Sequence, residues 1–152
     1  MDGYHKLRLV VLPDLYAVCR LDKEAAVPSW ASSGEFCSVT RTADELSVVC
    51  RECLVLRNVR CDRGWRCFRV AGTMDFPMVG VVSSLATPLA QAGLSVFVVS
   101  TFDTDYLLVK ETEIDTATAA LRGAGHELDE SVDCPKATRA AITCGSCASE
   151  RE

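Results

Sequence analysis

The sequence predicts an α+β fold made of two tandem βαββαβ units, each an antiparallel sheet with helices on one face. Three observations carry that expectation. The second half of the 152-residue chain reads strand–helix–strand–strand–helix–strand. A strand–turn–strand segment of the first half recurs in the second. The composition, 49% hydrophobic and 24% charged, gives a globular chain with apolar material for small cores.

Residues 7–12 and 16–21 are runs rich in Leu, Val, Tyr and Cys, separated by a Pro13-Asp14 turn, and read as strands. Pro28-Ser29-Trp30-Ala31 is long enough for a helical turn only. Residues 36–40 and 46–50 are short strands at hairpin spacing. In residues 65–71, Cys67 and Arg69 alternate with Phe68 and Val70, which predicts a strand, and residues 72–77 a loop. Residues 78–92 place Val79, Val82, Leu85, Ala86, Leu89 and Ala90 on one helical face. Pro88 is expected to kink that helix or disturb a backbone bond, and Gly93 to end it. Strands are expected at 96–100 and 106–110, a second helix at 114–122 and a weak last strand at 127–128. Six elements in that order are the ferredoxin-like split βαβ.

The repeat aligns Thr40, Asp44, Leu46 and Val48 with Thr101, Asp105, Leu107 and Val109, an offset of 61. It divides the chain into modules at 1–62 and 63–130, followed by a Ser-, Thr-, Ala- and Glu-rich tail at 131–152.

The net charge of −5 is uneven. Residues 1–70 hold 11 Lys/Arg against 9 Asp/Glu, a balance of +2, and residues 71–152 hold 5 against 12, a balance of −7. An acidic chain argues against a nucleic-acid partner. The longest near-apolar run, 79–101, is broken by Pro88, Gln91 and Gly93, so no membrane span is expected. The apolar stretch near the N-terminus is too short for a signal peptide, which places the chain in the cytoplasm with its nine cysteines reduced.

No catalytic set emerges. The chain has two histidines and no GxSxG, P-loop or GxGxxG motif, so neither enzyme activity nor a cofactor is expected. Cys50-x-x-Cys53 and Cys144-x-x-Cys147 supply four thiols, the number a structural zinc site needs. However, residues three apart on a strand point to opposite faces, and the second pair lies in the tail.

The stretch Ser100-Thr-Phe-Asp-Thr-Asp-Tyr-Leu-Leu-Val-Lys-Glu resembles short tandem-ACT proteins, whose second module also occurs in the cytosolic arginine sensors of animals. Tyr16-Ala-Val-Cys-Arg-Leu, Pro28-Ser-Trp, Thr42-Ala-Asp-Glu-Leu-Ser-Val-Val, Gly64-Trp, Gly72-Thr-Met-Asp-Phe and Pro88-Leu-Ala-Gln-Ala-Gly-Leu-Ser-Val-Phe extend the likeness over residues 5–130. The resemblance implies an ACT fold that binds a small molecule, an amino acid by preference, where modules meet. It also implies a homodimer built on the outer strand at 94–100, with the 72–79 loop facing the same seam.

Amino-acid capture needs backbone N–H donors for the carboxylate and acceptors for the ammonium. The expected ligand residues are Gly72, Thr73, Asp75, Met78, Val79, Ser95, Val96, Thr101, Phe102 and Asp105, with Asp105 as cation partner. The alternative reading makes Asp105 a turn cap, Phe102 core and Gly72 a strand end. Arginine sensors carry an acidic residue where this chain has Met78, and a guanidinium without a paired carboxylate is costly. Arginine is therefore disfavoured unless Asp75 substitutes. Two other functions compete: a protein–protein interaction module that has lost its ligand, and a cysteine-dependent metal- or redox-responsive protein.

Overall fold

The computed structural model describes residues 6–72 and 79–129. Eight strands run among them: β1 (Arg8–Val11), β2 (Tyr16–Leu21), β3 (Ser38–Arg41), β4 (Leu46–Arg51), β5 (Arg60–Val70), β6 (Phe97–Ser100), β7 (Asp105–Lys110) and β8 (Glu127–Asp129). Two α-helices, α1 (Val81–Gln91) and α2 (Ile114–Gly123), and short 3-10 turns at Ser29–Ser32, Glu52–Leu54 and Glu111–Glu113 complete the set. No helix among the described residues is long and apolar enough to cross a membrane.

The contacts group the chain into two units: Leu15–Arg63, and residues 6–14 with 64–129. Strand β1 therefore departs from the expected 1–62 module. It pairs antiparallel with β5, Leu9 opposite Val70, and parallel with β8, Leu9 opposite Leu128. Leu9 is fully buried there, so a side chain from the N-terminal end of the sequence completes the C-terminal core.

In that unit the strands lie in the order β6-β7-β5-β1-β8. Strand period two puts Phe68, Val70, Leu107 and Val109 on one face, where they meet Val81, Leu85 and Leu89 of α1 and Ala117 and Leu121 of α2. The four-residue steps of 81, 85 and 89, and of 117 and 121, each form one helical stripe.

Pro88 sits inside α1, and the helix nevertheless runs unbroken from 81 to 91. A proline has no N–H for the carbonyl four residues back, here Ser84. That carbonyl is met by His126 Nε2 at 3.0 Å, while His126 Nδ1 accepts the Leu7 N–H at 3.2 Å. The disturbed backbone bond is thus repaired from outside the helix.

In Leu15–Arg63 the order is β3-β4-β2, with the first residues of β5 beside β2. Ala17, Cys19, Leu46, Val48 and Cys50 form the sheet side of a core that Ala31, Val55 and Trp30 cover. The chain order is strand, 3-10 turn, strand, strand, 3-10 turn, strand. This is the βαββαβ path with each helix shortened to one turn.

The register of the repeat differs from the expected one. Arg41 pairs with Leu46 as Ser100 pairs with Asp105, and the 3-10 turns begin at Glu52 and Glu111. Each pair of equivalents is 59 residues apart, not 61. Thr42 therefore corresponds to Thr101 and Asp44 to Asp103. The slip arises because Thr40 and Thr42 flank one residue, and the short motif fits either.

Candidate functional site

The turn between β6 and β7 is built by one threonine. Thr101 donates its N–H to the Thr104 carbonyl at 2.8 Å and its hydroxyl to the same oxygen at 3.0 Å. Thr101 Oγ1 also accepts the Thr104 N–H at 3.2 Å. Thr42 closes the β3–β4 turn in the same way, its N–H donating to the Glu45 carbonyl at 2.9 Å. Thr104 then donates its own hydroxyl to the Val70 carbonyl at 2.8 Å, tying the turn to the end of β5. Just beyond lies Gly72, whose φ of +81° is a left-handed conformation with nothing within 4 Å of an added Cβ. The glycine is there for its backbone, not for space.

Asp105 begins β7, one residue beyond the Arg69–Tyr106 pair and therefore level with Val70. Side-chain alternation sets it on the same face as Leu107 and Val109, the face the helices cover, and it is 6% exposed. Its equivalent in the other hairpin is Leu46, 0% exposed.

Strand β6 hydrogen-bonds to β7 alone among the described residues, so its outer edge carries backbone N–H and C=O groups without strand partners there. Ser95 and Val96 precede the strand rather than lying in it, Ser95 exposed and Val96 half-buried. The expected start at 94–96 fails because Leu94 is drawn back into the helix terminus, its N–H donating to the Leu89 carbonyl at 3.0 Å. Phe102, expected to close a pocket, is 80% exposed at the tip of the turn, and Val79 is 83% exposed. A four-residue turn held by Thr101 points its second side chain outward. Thr73, Asp75 and Met78 lie outside the described residues. The structure thus gathers Gly72, Thr101 and Asp105 at one end of the sheet and leaves Phe102 outside the core.

Two open grooves lie elsewhere. One, about 530 Å³, is lined by Arg8, Arg122, His126, Glu127, Leu128 and Asp129; the other, about 270 Å³, lies around Val18, Arg20, Ser47 and Arg60. The first is laced by ion pairs, Arg8 to Asp129 at 2.8 Å and Lys6 to Glu127 at 2.6 Å. Lys6 holds the Glu127 carboxyl below its usual range through that hydrogen bond and its charge. Neither groove contains an expected ligand residue.

Of the expected thiol pairs, Cys50 is buried on β4 and Cys53 exposed in the following 3-10 turn, and Cys144 and Cys147 lie outside the described residues. A different grouping brings Cys19 and Cys50 into one buried cluster with Cys61 packed against it. The cluster spans three strands, and its sequence signal is alternation alone: Ala17, Cys19 and Leu21 lie on one face of β2.

The comparisons with known proteins agree with the fold. The ACT-domain family model matches residues 60–123, and a model of an N-terminal domain matches residues 14–57. A solved protein from Agobacterium tumefaciens is 42% identical with a TM-score of 0.79, covering 82% of this chain and 93% of that one. The mouse cytosolic arginine sensor for mTORC1 subunit 1 is 41% identical over 51 residues, which is 33% of this chain and 15% of the mouse protein's length. The regulatory subunit of aspartate kinase from Thermus thermophilus shares the fold, with a TM-score of 0.53 at 7% identity over 75% of this chain and 96% of that one. By its matched profile and its βαββαβ order, the segment at residues 60–123 is an ACT domain.

Proposed function

We propose that the protein is a non-enzymatic regulatory module that binds an amino acid beside Asp105, at the end of the sheet formed by Gly72, the Thr101 turn and the outer edge of β6. The observation that carries this reading is the buried carboxylate. At the equivalent place in the N-terminal hairpin the chain uses Leu46, so the scaffold does not require a polar group there. Burying a carboxylate costs free energy unless it is matched by a donor or a cation, and an amino acid's ammonium is such a partner. The mouse relative is named as an arginine sensor and the Thermus relative as a regulatory subunit, which supports an amino-acid ligand and a regulatory role. Met78 stands in the sequence where arginine sensors carry an acidic residue, which disfavours arginine unless Asp75 substitutes.

The outer edge of β6, without a strand partner among the described residues, supports a homodimer in which two copies pair through that strand and complete the pocket between them. The modules of this proposal run from 1 to 62 and from 63 to 130, with β1 lent to the second and 131–152 as an appendage, and the protein works in the cytoplasm.

Isothermal titration of each of the twenty amino acids into the full chain tests the reading. Heat with at least one of them, lost in Asp105→Asn, is the expected outcome. No heat with any of them sinks it. A second reading, a protein-interaction module without a ligand, is favoured by Phe102 at 80% exposure on the turn tip. Under that reading Phe102→Ala, and not Asp105→Asn, abolishes partner capture.

A further inference from the structure

Five of the six described cysteines, Cys19, Cys37, Cys50, Cys53 and Cys61, lie in the Leu15–Arg63 unit. Three of them converge. Cys19 on β2, Cys50 on β4 and Cys61 on β5 come from neighbouring strands and share the core face with Ala17, Leu46 and Val48. Cys19 and Cys50 belong to one buried cluster, and Cys61 packs against it from the neighbouring strand.

Their exposures differ in a useful order. Cys50 and Cys19 are 0% and 1% exposed, whereas Cys61 is half-buried at the margin of the core. The cover over this face is the Ser29–Ser32 turn and loop residues such as Val55 rather than helices, so few backbone bonds need to open to admit a small molecule. Hydrogen bonding from Cys50 holds the Cys19 thiol below its ordinary range, and the Arg63 guanidinium adds to this against the effect of burial. The Cys50 thiol is pushed far up by the same pairing and by burial, so it stays protonated as a donor.

We propose that Cys19 and Cys61 are an oxidisable dithiol that hydrogen peroxide closes into a disulfide linking β2 to β5. The Cys19 thiolate attacks one peroxide oxygen. The S–O bond forms, the O–O bond breaks, and the departing hydroxide takes a proton to leave as water. The Cys61 sulfur then attacks the sulfenic sulfur, forming the S–S bond, breaking the S–O bond and releasing a second water that carries the Cys61 proton. Two thiols and one peroxide thus give one disulfide and two waters.

The test treats the reduced full chain with equimolar hydrogen peroxide, blocks remaining thiols by alkylation and maps the peptides by mass spectrometry. A Cys19–Cys61 cross-linked peptide is expected, lighter by two hydrogens than its reduced parts. It should vanish in Cys61→Ser and persist in Cys37→Ser, whose thiol is exposed and outside the trio. The proposal is overturned if Cys19 and Cys61 are alkylated in the wild-type chain as fully after peroxide as before it. It is equally overturned if Cys19 is joined to Cys50, or if the only disulfide joins Cys144 to Cys147. The wild-type mapping decides the matter even where a variant fails to fold.

Discussion

Replacing His126 by alanine removes two hydrogen bonds that hold the C-terminal unit together. The ring accepts the Leu7 N–H at Nδ1, 3.2 Å away, and its Nε2 stands 3.0 Å from the Ser84 carbonyl. Because Nδ1 accepts, the proton is assigned to Nε2, which donates to Ser84. His126, Ser84 and Leu7 are all buried in the wild type, at 4%, 1% and 7% exposure. Each buried polar group left unsatisfied costs about 1–3 kcal/mol, so His126→Ala should lose roughly 2–6 kcal/mol.

The link to Pro88 makes the reasoning refutable. Pro88→Ala restores an N–H at 88 that can donate to Ser84 within α1. In that background His126→Ala orphans only the Leu7 N–H, and its cost should fall by about 1–3 kcal/mol. Equilibrium urea denaturation of the wild type, the two single variants and the double variant measures that coupling directly. Contacting residues that share a partner couple, whereas independent sites add to within about 0.5 kcal/mol. Additivity within that margin would refute the idea that His126 repairs the proline.

Thr101→Val and Thr42→Val should each lose about 0.5–1.5 kcal/mol of stability in urea denaturation, through equivalent hydroxyl bonds in the two hairpins. A much larger effect at one of them would show that the turns are not equivalent. The buried Cys67 thiol gives a pH signature. Burial raises it above the ordinary value of about 8.5, with Arg69 opposing in part, so its contribution to stability is complete below that value and is lost as pH rises. In urea midpoints between pH 9 and 10, Cys67→Ala should therefore fall less steeply than wild type, by about 1 kcal/mol. Parallel declines would contradict it.

The C-terminal unit was legible because its periodicities are strong. Leu85 and Leu89 lie buried on the expected helical stripe, although Val81 extends it in place of the exposed Val79 and Val82. The expected strand at 106–110 buries Leu107, Leu108 and Val109. The 16 residues between β2 and β3 have no such stripe and contain Pro28, and they form only a 3-10 turn, as their sequence implies. Three features were not legible. Strand β1 joins the C-terminal sheet, and pairing across some sixty residues leaves no local pattern. The cluster of Cys19, Cys50 and Cys61 spans separate strands, whereas C-x-x-C spacing marks only Cys50 and Cys53. His126 reads as a lone histidine until Pro88 is seen to leave Ser84 in need of a donor.

The repeat register bears most directly on the site. At an offset of 61, Asp105 stands against Asp44, and both look like turn residues kept for the hairpin. The strand pairing sets the offset at 59, which puts Asp103 against Asp44 and Asp105 against Leu46. Asp44 and Asp103 are both exposed turn residues, so the turn's need for aspartate is met without Asp105. Leu46 and Asp105 are both buried at the first position of their strands, and the burial pattern along the two strands is the same. One copy of the hairpin thus keeps a core leucine where the other has exchanged it for a carboxylate. Leu46 shows what packing alone asks of the position. The reverse substitution, Asp105→Leu, should therefore raise the stability of the C-terminal unit while abolishing amino-acid binding, and a Leu variant that is less stable than wild type would mean the carboxylate serves the fold and not a ligand.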